Sequence, residues 1–104
     1  MPGIDYRQLR AAIAMTEVLQ LIGFVPAQRR GHQLRGPCPV HGSTRRTSRT
    51  LSINLRTNTY RCFKCGSAGN QLDLYAAVTR MNLFEAAIDL CRRLNRPPPW
   101  IHRW

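Results

Sequence analysis

At 104 residues the chain has room for one domain, and an apolar fraction of 43% suits a folded protein, not a disordered one. Sixteen Lys and Arg against five Asp and Glu give a formal charge of +11 and a pI near 11.2, which points to a polyanionic partner. A membrane span is excluded, because no stretch approaches the ~20 apolar residues one needs.

The charge has a distinctive composition and placement. All the cations except Lys64 are Arg, whose planar fork grips phosphates with two hydrogen bonds and stacks on bases. From Val18 to Leu72 there is no acid, yet nine cations fall there. A solvated basic surface in an Arg-rich proteome is the plainer reading, but the uneven placement favours nucleic acid. The N-terminal segment lacks a secretory h-region, since Arg7, Arg10 and Glu17 interrupt it. The four Cys are therefore expected in a reducing cytoplasm, where closely spaced pairs read as metal ligands before disulfides.

Residues 4 to 23 predict a helix in two pieces, with Leu9, Ala12, Ile13 and Thr16 on one face, Thr16 able to cap the second piece, and Gly23 as its stop. Ala27 to Gly36 reads as a hairpin turning near Gly31-His32, with Leu34 inward. The polar stretch from Gly42 to Thr50 has no periodicity and reads as a loop. Leu51, Ile53 and Leu55 alternate with Ser52, Asn54 and Arg56, which is strand spacing. A turn at Thr57-Asn58 and a returning strand from Thr59 to Cys62 follow, then bends at Gly66 and Gly69. Asn70 to Arg80 predicts a helix with Leu72, Tyr75, Ala76 and Thr79 on its apolar face. A last helix from Leu83 to Leu94 is expected to bury Phe84, Ala87, Ile88, Cys91 and Leu94. Asp89 stands one turn before Arg92 and Arg93, which suit the helix end. Pro97 to Pro99 ends regular structure, leaving Trp100 to Trp104 as a tail.

Cys38-x2-His41 and Cys62-x2-Cys65 are two knuckles on either side of a hairpin. Such pairs let two side chains converge on one tetrahedral ion while intervening amides point at sulfur. Three thiolates and an imidazole fill four positions and leave none for water, so one structural Zn2+ is expected, not hydrolytic chemistry. Two other readings stand beside it. Cys62 and Cys65 could form a redox dithiol, although no βαβ setting accompanies them, and His32 or Cys91 could replace His41. Cys91 lies on an apolar helical stripe and reads as a small core residue. The glycines match no phosphate-binding loop.

The runs "CPVH", "LSINL", "YRCFKCG" and "SAGNQLDLYAAV", with the closing "LFEAAIDLCRRLN", resemble the N-terminal zinc-binding domain of bacterial DnaG-type DNA primases over about residues 5 to 95. The resemblance implies an α+β fold, a zinc-ribbon-like antiparallel β-sheet with flanking N- and C-terminal helices. It implies the ligand set Cys38, His41, Cys62 and Cys65, and a sheet face that contacts single-stranded template during primer initiation. Contacts carry over to Arg35, Arg61 and Lys64, with Tyr60 and Phe63 beside them. The family's Lys-Thr-Pro-Ser-Phe segment is here Ser48, Arg49, Thr50 and Leu51 after an enlarged Arg-rich stretch, so Arg45, Arg46 and Arg49 are expected to take over that contact.

The sequence thus predicts a zinc-binding domain over residues 1–96 with a Pro/Trp-rich tail over 97–104. Its expected nucleic-acid residues are Arg35, Arg45, Arg46, Arg49, Arg56, Tyr60, Arg61 and Lys64. The expected partner is DNA, single-stranded in form, with a polymerase or helicase on another chain and no membrane or small-molecule substrate. Five scattered acids supply no polymerase site, so no catalysis is expected of this chain alone. Rival readings are a subunit or fragment of an active primase, a duplex-DNA or RNA regulator of a mobile element, and a protein-docking module using Trp100 and Trp104.

Overall fold

The computed structural model describes residues 3–42, 45 and 47–101. Asp5 opens the first helix, α1 (Tyr6–Ala12), by accepting a hydrogen bond from the Gln8 N–H at 3.1 Å. Ile13 then turns extended with its side chain fully buried, and α2 covers Met15–Leu21. Two pieces are present, as the sequence predicts, but Thr16 does not cap the second. Ala14 holds the cap position, and the Glu17 carboxylate reaches back to accept the Ala14 N–H at 2.9 Å. Ala12 and Thr16 are exposed; the inward side is built from Leu9, Ile13, Met15, Val18 and Leu19. Gly23, at φ +71°, ends α2 in the left-handed region where a Cβ is strained.

Five strands follow in a meander: β1 (Gln28–Arg30), β2 (Gln33–Gly36), β3 (Leu51–Asn54), β4 (Thr59–Cys62) and β5 (Ala68–Asn70). All neighbours are antiparallel and the spatial order is the chain order. Period-two alternation divides the sheet cleanly. Leu34, Leu51, Ile53, Tyr60 and Cys62 are buried on the inner face. The sequence reading missed β5, because Ala68-Gly69-Asn70 offers no alternation and its register comes from β4. Gly36 packs closely on the preceding segment: an added Cβ would lie 2.6 Å from the Phe24 ring and 3.3 Å from the Pro26 Cα, so the ring would have to shift.

Helix α3 (Gln71–Thr79) begins directly on β5. The Asn70 side chain accepts from the Leu72 and Asp73 N–H groups, while Asp73 accepts the Asn70 N–H at 2.9 Å, a complete capping box. A Cβ at Gly69 would sit 2.4 Å from the Asp73 carboxylate, so this start admits only glycine before Asn70. The buried residues of α3 are Gln71, Leu72, Leu74 and Tyr75; Ala76 and Thr79, expected inward, are only half-buried. Gln71, the first residue of α3, donates to the carbonyls of Arg10 and Ile13 at 2.8 and 2.7 Å, which satisfies carbonyls at the C-terminal end of α1.

Helix α4 (Leu83–Arg93) buries Ala86, Ala87, Asp89, Leu90 and Cys91. The expected stripe is therefore corrected by roughly a quarter turn about the axis. Ala87 and Cys91 are inward, but Phe84 is exposed and Ile88 and Leu94 are half-buried. Small Ala86 and Ala87 allow close approach to α3, and the buried Tyr75 hydroxyl donates to Asp89, which also accepts from Arg92 and Arg93. Burial, then the neighbouring carboxylate, pushes the Tyr75 hydroxyl up to about 12.

The segment after Pro97 is tied down as far as Ile101. Trp100 bridges to Ile4, the Asp5 N–H donates to the Pro99 carbonyl at 2.7 Å, and the Ile101 N–H donates to the Gly3 carbonyl. Arg96 pairs with Glu17 and holds its carboxyl below the usual range. Trp104, which the sequence reading gave a docking role, lies outside the described residues. Among those described, no helix is long and apolar enough to cross a membrane.

Candidate metal centre and nucleic-acid interface

Sheet register assembles the metal centre. Gly36, Leu51 and Cys62 lie in one row across β2, β3 and β4, so the knuckle two residues beyond Gly36 sits beside the knuckle that starts at Cys62. The ligand atoms of Cys38, His41, Cys62 and Cys65 all lie within 4.8 Å of one another. Cys38 Sγ is 3.9 Å from Cys65 Sγ, and Cys62 Sγ is 3.6 Å from His41 Nδ1. A tetrahedral zinc with Zn–S near 2.3 Å and Zn–N near 2.0 Å demands ligand separations of about 3.5 to 3.8 Å. The donor set and its spacing fit one zinc ion, held without a vacant position.

The surroundings prepare sulfur for a cation. The Cys65 N–H approaches Cys62 Sγ at 3.4 Å. Burial pushes the Cys62 thiol up, but the backbone N–H groups of Cys65 and Lys64 and the adjacent thiols outweigh it and bring it down to about 6. Cys38 goes the other way: burial pushes it up to about 11, against the His41 and Val40 N–H groups. Thiolates packed this closely would repel one another, and a zinc ion held by the four side chains would offset that charge. Cys91 is buried on α4 and His32 is exposed at the β1–β2 turn, and neither joins the cluster. All four cysteines are free of disulfides.

The outer sheet face is polar. Arg35, Ser52 and Arg61 form one row across β2, β3 and β4, and Gln33, Asn54 and Thr59 form the next. Phe63 follows β4 and stays 58% exposed, with the Arg35 and Arg61 guanidinium carbons 5.0 and 5.5 Å from its ring centre. Its N–H donates to the Thr50 carbonyl, and Arg35 Nε donates to the Arg49 carbonyl at 3.1 Å, which fastens the loop to the sheet. Of the two aromatics that the sequence sets beside the contacts, Phe63 is the one that stays exposed on this face.

Tyr60 corrects the sequence reading. It is 4% exposed on the inner face, with its hydroxyl 2.7 Å from Ser67 Oγ, and cannot stack on a base. The alternation from Ile53 across the register pair Ile53↔Tyr60 carries the signal that would have placed it inward. Arg45, Arg49 and Lys64 gather with His41 around a cleft beside the metal centre. Arg56 stands apart in the β3–β4 turn, roughly 15 Å along the strands from that end. Arg46 lies outside the described residues.

A five-stranded antiparallel meander whose two knuckles close around one tetrahedral site defines a zinc-ribbon domain with a structural metal. The family model for the CHC2 zinc finger matches residues 3–98, and the chain belongs to that family. It is similar to the DNA primase of Synechocystis sp., 30% identical over 78 residues, covering 74% of this chain and 12% of that protein. It is similar also to the DNA primase of Halalkalibacterium halodurans, 29% identical over 96 residues, covering 91% of this chain and 15% of that protein. The crystal structure of the Aquifex aeolicus primase (zinc binding and RNA polymerase domains) superposes with a TM-score of 0.72 at 22% identity, over 91% of this chain and 22% of that one, and shares the fold. The chain thus spans between 10% and 15% of the length of the curated relatives it matches. It is a zinc-binding domain of the DNA primase type with one structural zinc.

Proposed function

We propose that Cys38, His41, Cys62 and Cys65 hold the zinc, and that the rigid sheet so formed binds single-stranded DNA as template in primer initiation. The observation that carries this reading is the exposed Phe63 ring flanked by Arg35 and Arg61 on an otherwise polar face. A base can replace one guanidinium on the ring, or stack on the guanidinium plane, while the displaced Arg takes a phosphate. Arg45, Arg49 and Lys64 continue the positive surface beyond the sheet edge. Primer synthesis itself is assigned to a primase-type polymerase domain that works with this one.

Titration of a labelled single strand and a matched duplex at several salt concentrations tests this. Engagement of about five phosphates predicts a log–log salt slope of roughly −3 to −4 on the single strand. Phe63→Ala is expected to weaken single-strand binding by roughly 1–3 kcal/mol without altering the slope. Equal affinity of the two chains, or a preference for duplex, would remove the single-strand reading.

Contact with the polymerase domain or a helicase is assigned to the exposed Phe84 and Trp100, which pack with ring centres 6.3 Å apart, together with the exposed Leu83 and Ile101 next to them in sequence. Removing residues 97–104 should abolish co-elution with that partner while leaving the oligonucleotide affinity intact. Undiminished co-elution would place the contact elsewhere.

A further inference from the structure

Beside the metal centre lies a cleft of about 370 Å³ between the second knuckle and the loop that precedes β3. Its walls carry Arg45, Arg49 and Lys64, with Ser48, Thr50 and the zinc-site His41 between them. We propose that this cleft binds a 5′-triphosphate, either on a free nucleoside triphosphate or on the first nucleotide of a nascent chain. The inference rests on the nucleic-acid reading above and deepens it.

Three features select this ligand. First, three cations converge on one site. An internal phosphodiester carries one charge and is served by a single Arg, whereas a triphosphate brings several charges into the same small volume. Three thiolates around a divalent ion leave one negative charge, so three cations keep a positive surplus there. Second, among the described residues the lining consists of cations, hydroxyl residues and one imidazole, with no Leu, Ile, Val, Phe, Tyr or Trp side chain to receive a base. A ligand entering it does so with its charged end. The Ser48 and Thr50 hydroxyls, 3.3 Å apart, can donate to oxygens that the cations leave unfilled.

Third, the cleft joins the sheet face where bases are expected. Arg49 also lines the neighbouring depression with Arg30 and Arg35, and the Thr50 carbonyl accepts the Phe63 N–H at 2.9 Å. A nucleotide with its phosphates in the cleft therefore has Phe63 within a residue's length for its base. A polymerase that begins chains without a primer leaves just such a triphosphate on its first nucleotide. The cleft would hold that nucleotide, or the short product it starts, beside the template.

The test uses the zinc-loaded full chain and two labelled oligoribonucleotides of one sequence, one with a 5′-triphosphate and one with a 5′-hydroxyl, in magnesium-containing buffer. The triphosphate form is expected to bind about 10- to 100-fold tighter, which three charge-assisted contacts readily supply. In an R45Q/K64Q variant, and in R45Q/R49Q/K64Q, that ratio should fall to about one, with zinc content and melting temperature unchanged. Unlabelled ATP as competitor separates the two sources. Competition near the oligonucleotide's own affinity assigns the cleft to free nucleotide; competition only far above it assigns the cleft to the chain end. A wild-type ratio near one overturns the proposal, and so does a ratio that survives both variants. Affinity for a single-stranded DNA of the same sequence, titrated in parallel, reports the sheet-face reading separately, so the two can fail independently.

Discussion

Cys62→Ser is expected to lose zinc and, with it, cooperative unfolding. Cys62 is 1% exposed, ends β4, and faces Leu51 in the row that carries both knuckles. Its replacement by a hydroxyl that ionises far less readily leaves a three-ligand site in a place built for four. Structural zinc in small domains is worth roughly 10–16 kcal/mol in apparent terms, against a net stability of about 5–15 kcal/mol for whole domains. The loss therefore exceeds what a 104-residue core retains. A far-UV melt of the variant should be broad and shallow, and excess chelator should impose the same curve on the wild type. Cys91→Ser is the control: that thiol is buried on α4, outside the cluster, and its variant should keep one zinc while melting at a lower temperature. A zinc-free Cys62→Ser chain with a sharp, wild-type melt would contradict the structural role of the metal.

Asp89→Ala should cost roughly 2–3 kcal/mol at neutral pH. Arg92 and Arg93 would suffer little, since their side chains are 77% and 56% exposed and return to water, so each pair contributes only about 0.3–0.5 kcal/mol. The larger part comes from Tyr75, whose buried hydroxyl loses its acceptor at about 1–3 kcal/mol. The same cluster sets a pH dependence. The Tyr75 hydroxyl, ahead of Arg92 and Arg93, holds the Asp89 carboxyl below the usual carboxylate range despite its burial. A depressed folded-state value means the stabilisation is complete above the unfolded value of about 3.9 and is lost as pH falls through the folded one. The gap between wild type and Asp89→Ala in urea midpoint should thus stay constant from pH 7 to about 5 and narrow as pH falls below about 4. Protonation also releases zinc from thiolates in acid, so the two chains are compared at each pH. A gap below about 0.5 kcal/mol at pH 7, or one that does not narrow in acid, would contradict this account.

Local chemistry was legible wherever one residue type decides the outcome. The knuckle spacing, the Gly31 turn, the Leu51 and Ile53 alternation and the Asn70 helix start all act within a few residues, and each stands where the sequence puts it. What the sequence concealed depends on partners far along the chain. The buried Gln71 reads as a polar surface residue until Arg10 and Ile13 present their carbonyls to it. Asp89 reads as half of a solvated helical pair until Tyr75 claims it. On α4 the larger side chains of Phe84 and Ile88 suggested the buried stripe, whereas close approach to α3 selects Ala86, Ala87 and Leu90. Tyr60 and Phe63, expected side by side at the contact face, part for a related reason. Strand register carries the tyrosine inward, and the chain leaves the ladder before the phenylalanine.

Zinc K-edge absorption on the freshly purified chain, with total metal measured on the same sample, tests the central claim most directly. One zinc per chain is predicted, with three sulfurs near 2.3 Å and one nitrogen near 2.0 Å in its first shell. An oxygen ligand, a second nitrogen in place of a sulfur, or a folded chain with no zinc at all would contradict a structural centre made by Cys38, His41, Cys62 and Cys65.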